Sequence, residues 1–225
     1  MRGKIIVIEG TDCSGKETQT KLLTSRLSSK NIKCERFSFP DYDSPTGRIV
    51  GGPYLGKESI CECWFKEGAV NVDPKVATLL FAADRKYNIS KIQNLVENGV
   101  NVILDRYVYS NLAHQGSKIK DKNERIKMYK WIDTLEFDLL ELPKADIKVF
   151  LHMPYEVSQE LKKNRGEALD QHEISKEHLL NAEQAYIDIS SLYGFKVIEC
   201  SQGSNPRKVE EINKELFDYV YSSIK

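Results

Sequence analysis

The sequence predicts an α/β fold with three layers, a five-stranded parallel sheet flanked by helices on both faces, and three observations lead there. Apolar, β-branched runs recur at Ile5 to Glu9, Cys34 to Phe39, Asn101 to Asp105, Ile147 to His152 and Phe195 to Cys200, with helical patterns between them. The first run leads into a glycine-bearing loop that opens a helical pattern. Polar residues also gather just past the carboxyl ends of the runs, where sheets of this kind bind ligands. The 225 residues, 40% hydrophobic and 29% charged, fit one domain spanning 1–225 with a sizeable core.

Taken in order, the first run gives way to a helix over about 17–30. The second is followed by an irregular stretch from Asp41 to Val72, with Gly51-Gly52-Pro53 and the cluster Cys61 to Phe65, expected as short helices and loops at the sheet's open end. A long helix opens at Asp73-Pro74: Asp73 suits the cap, Pro74 the first turn, and Gly99 lies just past the end. Its apolar positions Val76, Leu79, Leu80, Ala83 and Tyr87 are expected to form a buried stripe. Further helices are expected over 123–141, 155–164, 174–193 and 206–224.

Charge and cysteine usage exclude several function classes. With 33 basic and 33 acidic side chains the net charge is zero, so no broad basic face awaits nucleic acid or an anionic membrane. The cysteines at 13, 34, 61, 63 and 200 are odd in number and scattered, which suits free thiols in a reducing cytoplasm. The start of the chain carries too short an apolar run for a signal peptide, and no run nears a membrane span of about 20 residues. His114, His152, His172 and His178 form no His-Glu-x-x-His metal motif.

The loop after the first run carries the strongest chemical signal. Gly10-Thr11-Asp12-Cys13-Ser14-Gly15-Lys16-Glu17-Thr18 has the spacing Gly-x4-Gly-Lys, between a strand and a helix. Such a backbone can wrap its N–H groups round the phosphates of a nucleoside triphosphate while Lys16 reaches the terminal ones. The strict pattern places Ser or Thr after the lysine, and here Glu17 stands there. Asp105 ends a buried strand, where a carboxylate can hold Mg²⁺ through water, and Arg106 beside it can bind phosphate oxygens through two parallel bonds.

Five segments in register then resemble one family. Glu9-Gly10-Thr11-Asp12, Phe39-Pro40, Leu79 to Arg85, Asp105-Arg106-Tyr107 with Ser110-Asn111, and Leu142 to Asp146 are similar to thymidylate kinases in order and spacing over nearly the whole chain. The resemblance implies a P-loop kinase fold with a short mobile lid at about 162–173. It implies transfer of the γ-phosphoryl group of ATP to dTMP with Mg²⁺, and a homodimer. It also implies that Phe81 stacks on thymine, Arg85 bonds O4, Asn111 meets the N3 edge, Asp12 holds the 3′-hydroxyl and Arg106 bridges donor and acceptor phosphates. Phe39, Tyr42, Ser110, His114 and Gln115 would complete the dTMP pocket.

Three departures stand out. Cys13 occupies a loop position where some members carry an arginine; those without it supply one from the lid, which makes Arg165 the candidate. His114 stands where many have Tyr or Phe beside the sugar. Glu17 leaves two arrangements open: it faces the metal, directly or through water, or it turns away and Thr18 or water takes that place. Lys16, Arg106, Arg165 and Asp12 form the expected catalytic set, and Asp105, Glu17 and Thr18 the metal candidates. The rival readings are another deoxynucleotide or deoxynucleoside kinase, or a nucleotide-binding regulator without turnover.

Overall fold

The computed structural model describes residues 2–163 and 175–225. Five strands, β1 (Ile5–Gly10), β2 (Cys34–Ser38), β3 (Asn101–Asp105), β4 (Ile147–His152) and β5 (Lys196–Glu199), form one parallel sheet in the order β2-β3-β1-β4-β5. Its central strand is buried along its whole length, as an apolar run covered on both faces should be. One core cluster packs Ile5, Val7, Val102, Leu104 and Phe150 beneath the middle helices; the other packs Ile6, Ile8, Ile103, Val149 and Leu151 beneath the first and last. Burying each such side chain contributes about 1.5–3 kcal/mol.

The helices are α1 (Lys16–Ser29), α2 (Pro45–Ile49), α3 (Pro74–Glu97), α4 (Val108–Gly116), α5 (Lys122–Asp133), α6 (Tyr155–Lys163), α7 (Lys176–Leu192) and α8 (Val209–Ile224). The cap expected for α3 is present, with Asp73 accepting from the N–H groups of Lys75 and Val76 and Pro74 in the first turn. The register decides where the site lies: Asp105 is paired with Ile8 on one side and with Ser38 on the other. The loops after β1, β2 and β3 therefore open side by side.

Four expectations need correction or a limit. The stripe Val76, Leu79, Ala83 and Tyr87 of α3 faces outward; the inward face carries Ala77, Thr78, Ala82, Asp84, Arg85, Asn88, Ile89, Ile92 and Val96. The helix expected over 123–141 ends at Asp133 and widens into a π-helical turn, Thr134–Leu139, that turns Glu136 inward. The last helix starts at Val209, after a small hairpin of β6 (Ser201–Gln202) and β7 (Asn205–Pro206). Most of the expected lid, including Arg165, lies outside the described residues.

The stretch from Asp41 to Val72 has its own small core. Val50, Tyr54, Leu55, Ala69 and Val72 pack with Ala77, Leu80 and Phe81 at the start of α3. Gly51 and Gly52 allow this, because a Cβ on either would overlap Tyr42, Ile60 or Cys61 at under 3 Å.

Candidate active site

A cavity of about 480 Å³ opens at the carboxyl ends of β1, β2 and β3. Its wall takes in Asp12, Cys13, Gly15, Lys16, Glu17 and Thr18 at one end and Phe39, Tyr42, Phe81, Arg85, Asn111, His114 and Gln115 at the other, with Asp105, Arg106 and Ser110 between. The structure thus brings the described candidate residues to one cavity or its loop.

The loop is shaped before any ligand arrives. Gly15 caps α1 with φ 75°, a left-handed conformation that favours glycine. Gly10 has no room for a Cβ, which would meet Ser14 Oγ at 2.5 Å and Leu151 O at 2.8 Å. The Thr11 hydroxyl donates to Met153 O at 2.7 Å and accepts from Met153 N at 2.8 Å, tying the loop to the end of β4; Ser14 Oγ donates to Thr11 O. Lys16 Nζ donates to Gly10 O and Thr11 O, both at 2.9 Å, so the ammonium is held where the first turn of α1 points its unshared N–H groups. Burial, with the nearby Arg106 charge, pushes Lys16 down to about 8; Asp12, Asp105 and Glu9 oppose the shift.

Arg106 lies at the centre of the charge distribution. It adopts φ 69° and is held by its N–H to Ile8 O. Its guanidinium donates to Tyr186 OH at 2.9 Å and lies 3.6 Å from Asp12 Oδ1 and 3.4 Å from His114 Nε2. Burial works against its charge, but Tyr186, Asp12, Glu9 and Asp105 outweigh it and raise the pKa, so the cation persists. Beneath it, the buried Glu9 accepts from Tyr107 N, Ser110 N and Ser110 Oγ at 2.8, 3.1 and 2.6 Å and from Tyr186 OH at 3.2 Å. This carboxylate caps α4 from another element and fixes the segment 106–110.

Asp105 is engaged on one side. Its Oδ2 accepts from Arg36 Nη2 at 2.8 Å and from Thr20 Oγ1 at 3.5 Å, while Arg36 Nε donates to that same hydroxyl at 2.7 Å. Glu17 is exposed at the mouth and pairs with Lys21 at 2.6 Å.

At the other end Phe81 is braced edge-on by Tyr54, ring centres 5.6 Å apart. Arg85 is buried and paired with Glu136, which also accepts from Asn111. Asp84 accepts from Asp41 N, Ser44 Oγ, Thr46 Oγ1 and Asn88 Nδ2, and so fastens the loop bearing Phe39 and Tyr42 to α3. Lys57 lies over the Tyr42 ring. His114 stacks on His178, which burial pushes down to about 4 with help from Lys118 and against Asp12, so His178 is neutral near pH 7. Gln115 is fully buried, and neither its amide nitrogen nor its oxygen has a partner among the described residues.

Sequence reasoning missed Arg36, Lys57, Glu136, His178 and Tyr186, and quoted Glu9 only as part of a motif. No local signal marks Tyr186 or His178, which reach the site from α7. Glu136 had a weak one, a carboxylate between Leu135 and Phe137 in an apolar stretch.

The family model described as thymidylate kinase matches residues 8–212. The thymidylate kinase of Schizosaccharomyces pombe is 30% identical over 97% of this chain and 92% of its own. That of Dictyostelium discoideum is 28% identical over 100% and 87%. A solved thymidylate kinase from Candida albicans superposes with a TM-score of 0.72 at 26% identity, covering 98% of this chain and 92% of that one. The same loop, the same α3 segment and the same β3 end that line the cavity are those on which the resemblance rested, and with these matches the chain belongs to the thymidylate kinase family, phosphotransferases that act on dTMP.

Proposed function

We propose that ATP binds along the loop from Gly10 to Thr18, that dTMP occupies the end of the cavity between Phe81, Arg85 and Asn111, and that the γ-phosphoryl group passes between them beside Lys16 and Arg106. The observation that carries this reading is the continuity of the cavity: a phosphate-cradling loop and an aromatic, hydrogen-bonding pocket share one wall, with two cations at their junction. The acceptor is already an anionic phosphate, so no base must remove a hydroxyl proton. Alignment and charge neutralisation supply the catalysis.

The remaining roles follow from position. Phe81 offers a braced face for stacking, and Arg85 and Asn111 offer polar groups to the base edge. Asp12 beside Arg106 suits a sugar hydroxyl, with Phe39, Tyr42, Ser110, His114 and Gln115 closing the pocket. Arg165, which lies outside the described residues, would by the family resemblance add a further cation in the transition state. Asp105, Glu17 and Thr18 all line this cavity and carry oxygen atoms, the donors that a hard cation such as Mg²⁺ would take alongside phosphate oxygens. Bound there, it would neutralise the phosphate charge that develops as the group transfers.

The reading extends to a single-domain, cytoplasmic homodimer. Five cysteines with free thiols suit a reducing compartment, and among the described residues no helix is long and apolar enough to cross a membrane. The outward stripe Val76, Leu79, Ala83 and Tyr87 supports pairing with a second copy. ADP release measured over a panel of nucleoside monophosphates tests the central reading. dTMP should be the preferred acceptor and thymidine inert, and a protein that binds both nucleotides without releasing ADP would overturn it.

A further inference from the structure

Behind the base pocket, a residue that does not line the cavity governs what the wall can recognise. Glu136 is fully buried in the π-helical turn, one layer behind Arg85 and Asn111. Its Oε2 accepts from Arg85 Nε at 2.5 Å, and its Oε1 accepts from Arg85 Nη2 at 2.7 Å and from Asn111 Nδ2 at 2.8 Å. Asn111 Nδ2 also donates to Thr78 O at 3.3 Å. A carboxylate and a carbonyl can only accept, so the amide must turn its NH₂ group to them; the flipped amide would set Oδ1 against two acceptors. Oδ1 is then the polar atom that Asn111 offers to the cavity. Arg85 commits Nε and Nη2 to the carboxylate and keeps its Nη1 hydrogens for the cavity.

We propose that Glu136 is a positioning residue that sets the base specificity of this enzyme. By holding Asn111 Oδ1 and Arg85 Nη1 toward the cavity as neighbouring acceptor and donor, it selects a pyrimidine with an N3–H and a 4-oxo group over a 4-amino pyrimidine. The inference deepens the dTMP reading of the pocket and rests on it. Thymine offers a ring N–H beside a carbonyl, the complement of this wall. Cytosine offers the reverse, a ring lone pair beside an amino group, and would face acceptor with acceptor and donor with donor. A buried site built for one hydrogen-bond pattern rejects another by up to about 10⁴-fold. Glu136→Gln keeps the volume but brings an NH₂ group where only acceptors stood. With its oxygen on Arg85 Nε, the NH₂ faces Asn111, whose amide must rotate, turning Nδ2 to the cavity; with its oxygen on Asn111, the NH₂ faces Arg85 Nε and displaces the guanidinium, so either placement disturbs the pattern presented to the base.

The test measures kcat and KM of wild type, Glu136→Gln and Glu136→Asp for dTMP, dCMP and 3-methyl-dTMP, with the KM for ATP and thermal unfolding of each protein alongside. Wild type should favour dTMP over dCMP by roughly 10³ or more in kcat/KM and use 3-methyl-dTMP, which lacks the N3–H, about 10²-fold less well than dTMP. Glu136→Gln should reduce the dTMP:dCMP ratio at least about tenfold, through KM for dTMP, with the KM for ATP unchanged; Glu136→Asp, which keeps the carboxylate, should restore part of the ratio. A folded Glu136→Gln protein with the wild-type ratio would overturn the assignment. Should that variant fail to fold, the wild-type arm decides: poor use of 3-methyl-dTMP supports the assignment, and use within about threefold of dTMP overturns it. A wild-type enzyme that prefers another monophosphate would instead overturn the dTMP reading beneath it.

Discussion

Replacing Glu17 by alanine tests the residue that departs most from the phosphate-loop pattern. Its carboxylate lies on the cavity wall but pairs at 2.6 Å with Lys21 one turn on, both side chains more than 60% exposed. An exposed pair of this i,i+4 kind contributes about 0.3–0.5 kcal/mol, so turning the carboxylate toward a cation on the phosphates costs little. The gain is larger: one oxygen contact to Mg²⁺, if it is worth about 1.4 kcal/mol, corresponds to tenfold in affinity. Glu17→Ala should therefore raise the Mg²⁺ concentration for half-maximal rate about tenfold. Lys21→Ala, by removing the competing partner, should lower it about twofold. Neither change should alter the KM for dTMP, whose proposed pocket lies at the opposite end of the cavity. ADP release followed against free Mg²⁺ at saturating ATP and dTMP gives both numbers. Unchanged titrations for the two variants would place Glu17 outside the metal's ligands and refute the reasoning.

Three further outcomes follow from the charges and surfaces. Lys16, lowered to about 8 chiefly by burial, must be protonated to meet the triphosphate; the ATP dissociation constant should be flat at neutral pH and rise up to about tenfold per unit above pH 8. Calorimetric titrations from about pH 6.5 to about 9.5 check this, and a flat profile refutes it. His152, gripped by Glu183 and Glu199 at 2.9 and 2.8 Å, has its pKa raised by the Glu183 hydrogen bond first, against burial, with Glu199 adding. A folded pKa above the unfolded value of about 6.5 means that the stabilisation is fully present below about 6.5 and is lost as pH rises through the folded value. Denaturant unfolding should show His152→Gln weaker than wild type in mild acid, with the gap closing in alkali; a gap that does not depend on pH counts against the clamp. On the outward stripe of α3, Leu79→Glu should turn a dimer into a monomer in light scattering, and an unchanged mass would move the interface elsewhere.

The sheet and the glycine-bearing turn after β1 were legible because their signals are local. A buried parallel strand must be an apolar run, and a tight turn between strand and helix must have glycine where φ is positive or a Cβ has no room, as at Gly15 and Gly10. The orientation of α3 was not legible for the opposite reason. Its apolar positions Val76, Leu79, Ala83 and Tyr87 look like core, yet the face that packs inward carries Asp84, Arg85 and Asn88. Those residues can be buried because their partners are Asp41, Ser44, Thr46 and Glu136, and no local period shows that the partners will be there.

The same distinction explains where the site departs from easy backbone geometry. Cys13 and Arg106 are non-glycine residues with φ 55° and 69°, conformations that cost roughly 1–2 kcal/mol each. Such strain persists only where the surroundings over-determine it. At Arg106 they do: Ile8 O takes its N–H, Glu9 takes those of Tyr107 and Ser110, and Tyr186 holds its guanidinium. Each of these bonds joins segments far apart in sequence, so the sequence can show that Asp105-Arg106-Tyr107 is present but not that it is held under strain. Glu9 binds the donors of the turn with a single buried carboxylate. Glu9→Gln, which keeps the shape but surrenders one acceptor oxygen for an NH₂ group, should therefore loosen Arg106 before it disturbs the proposed base pocket.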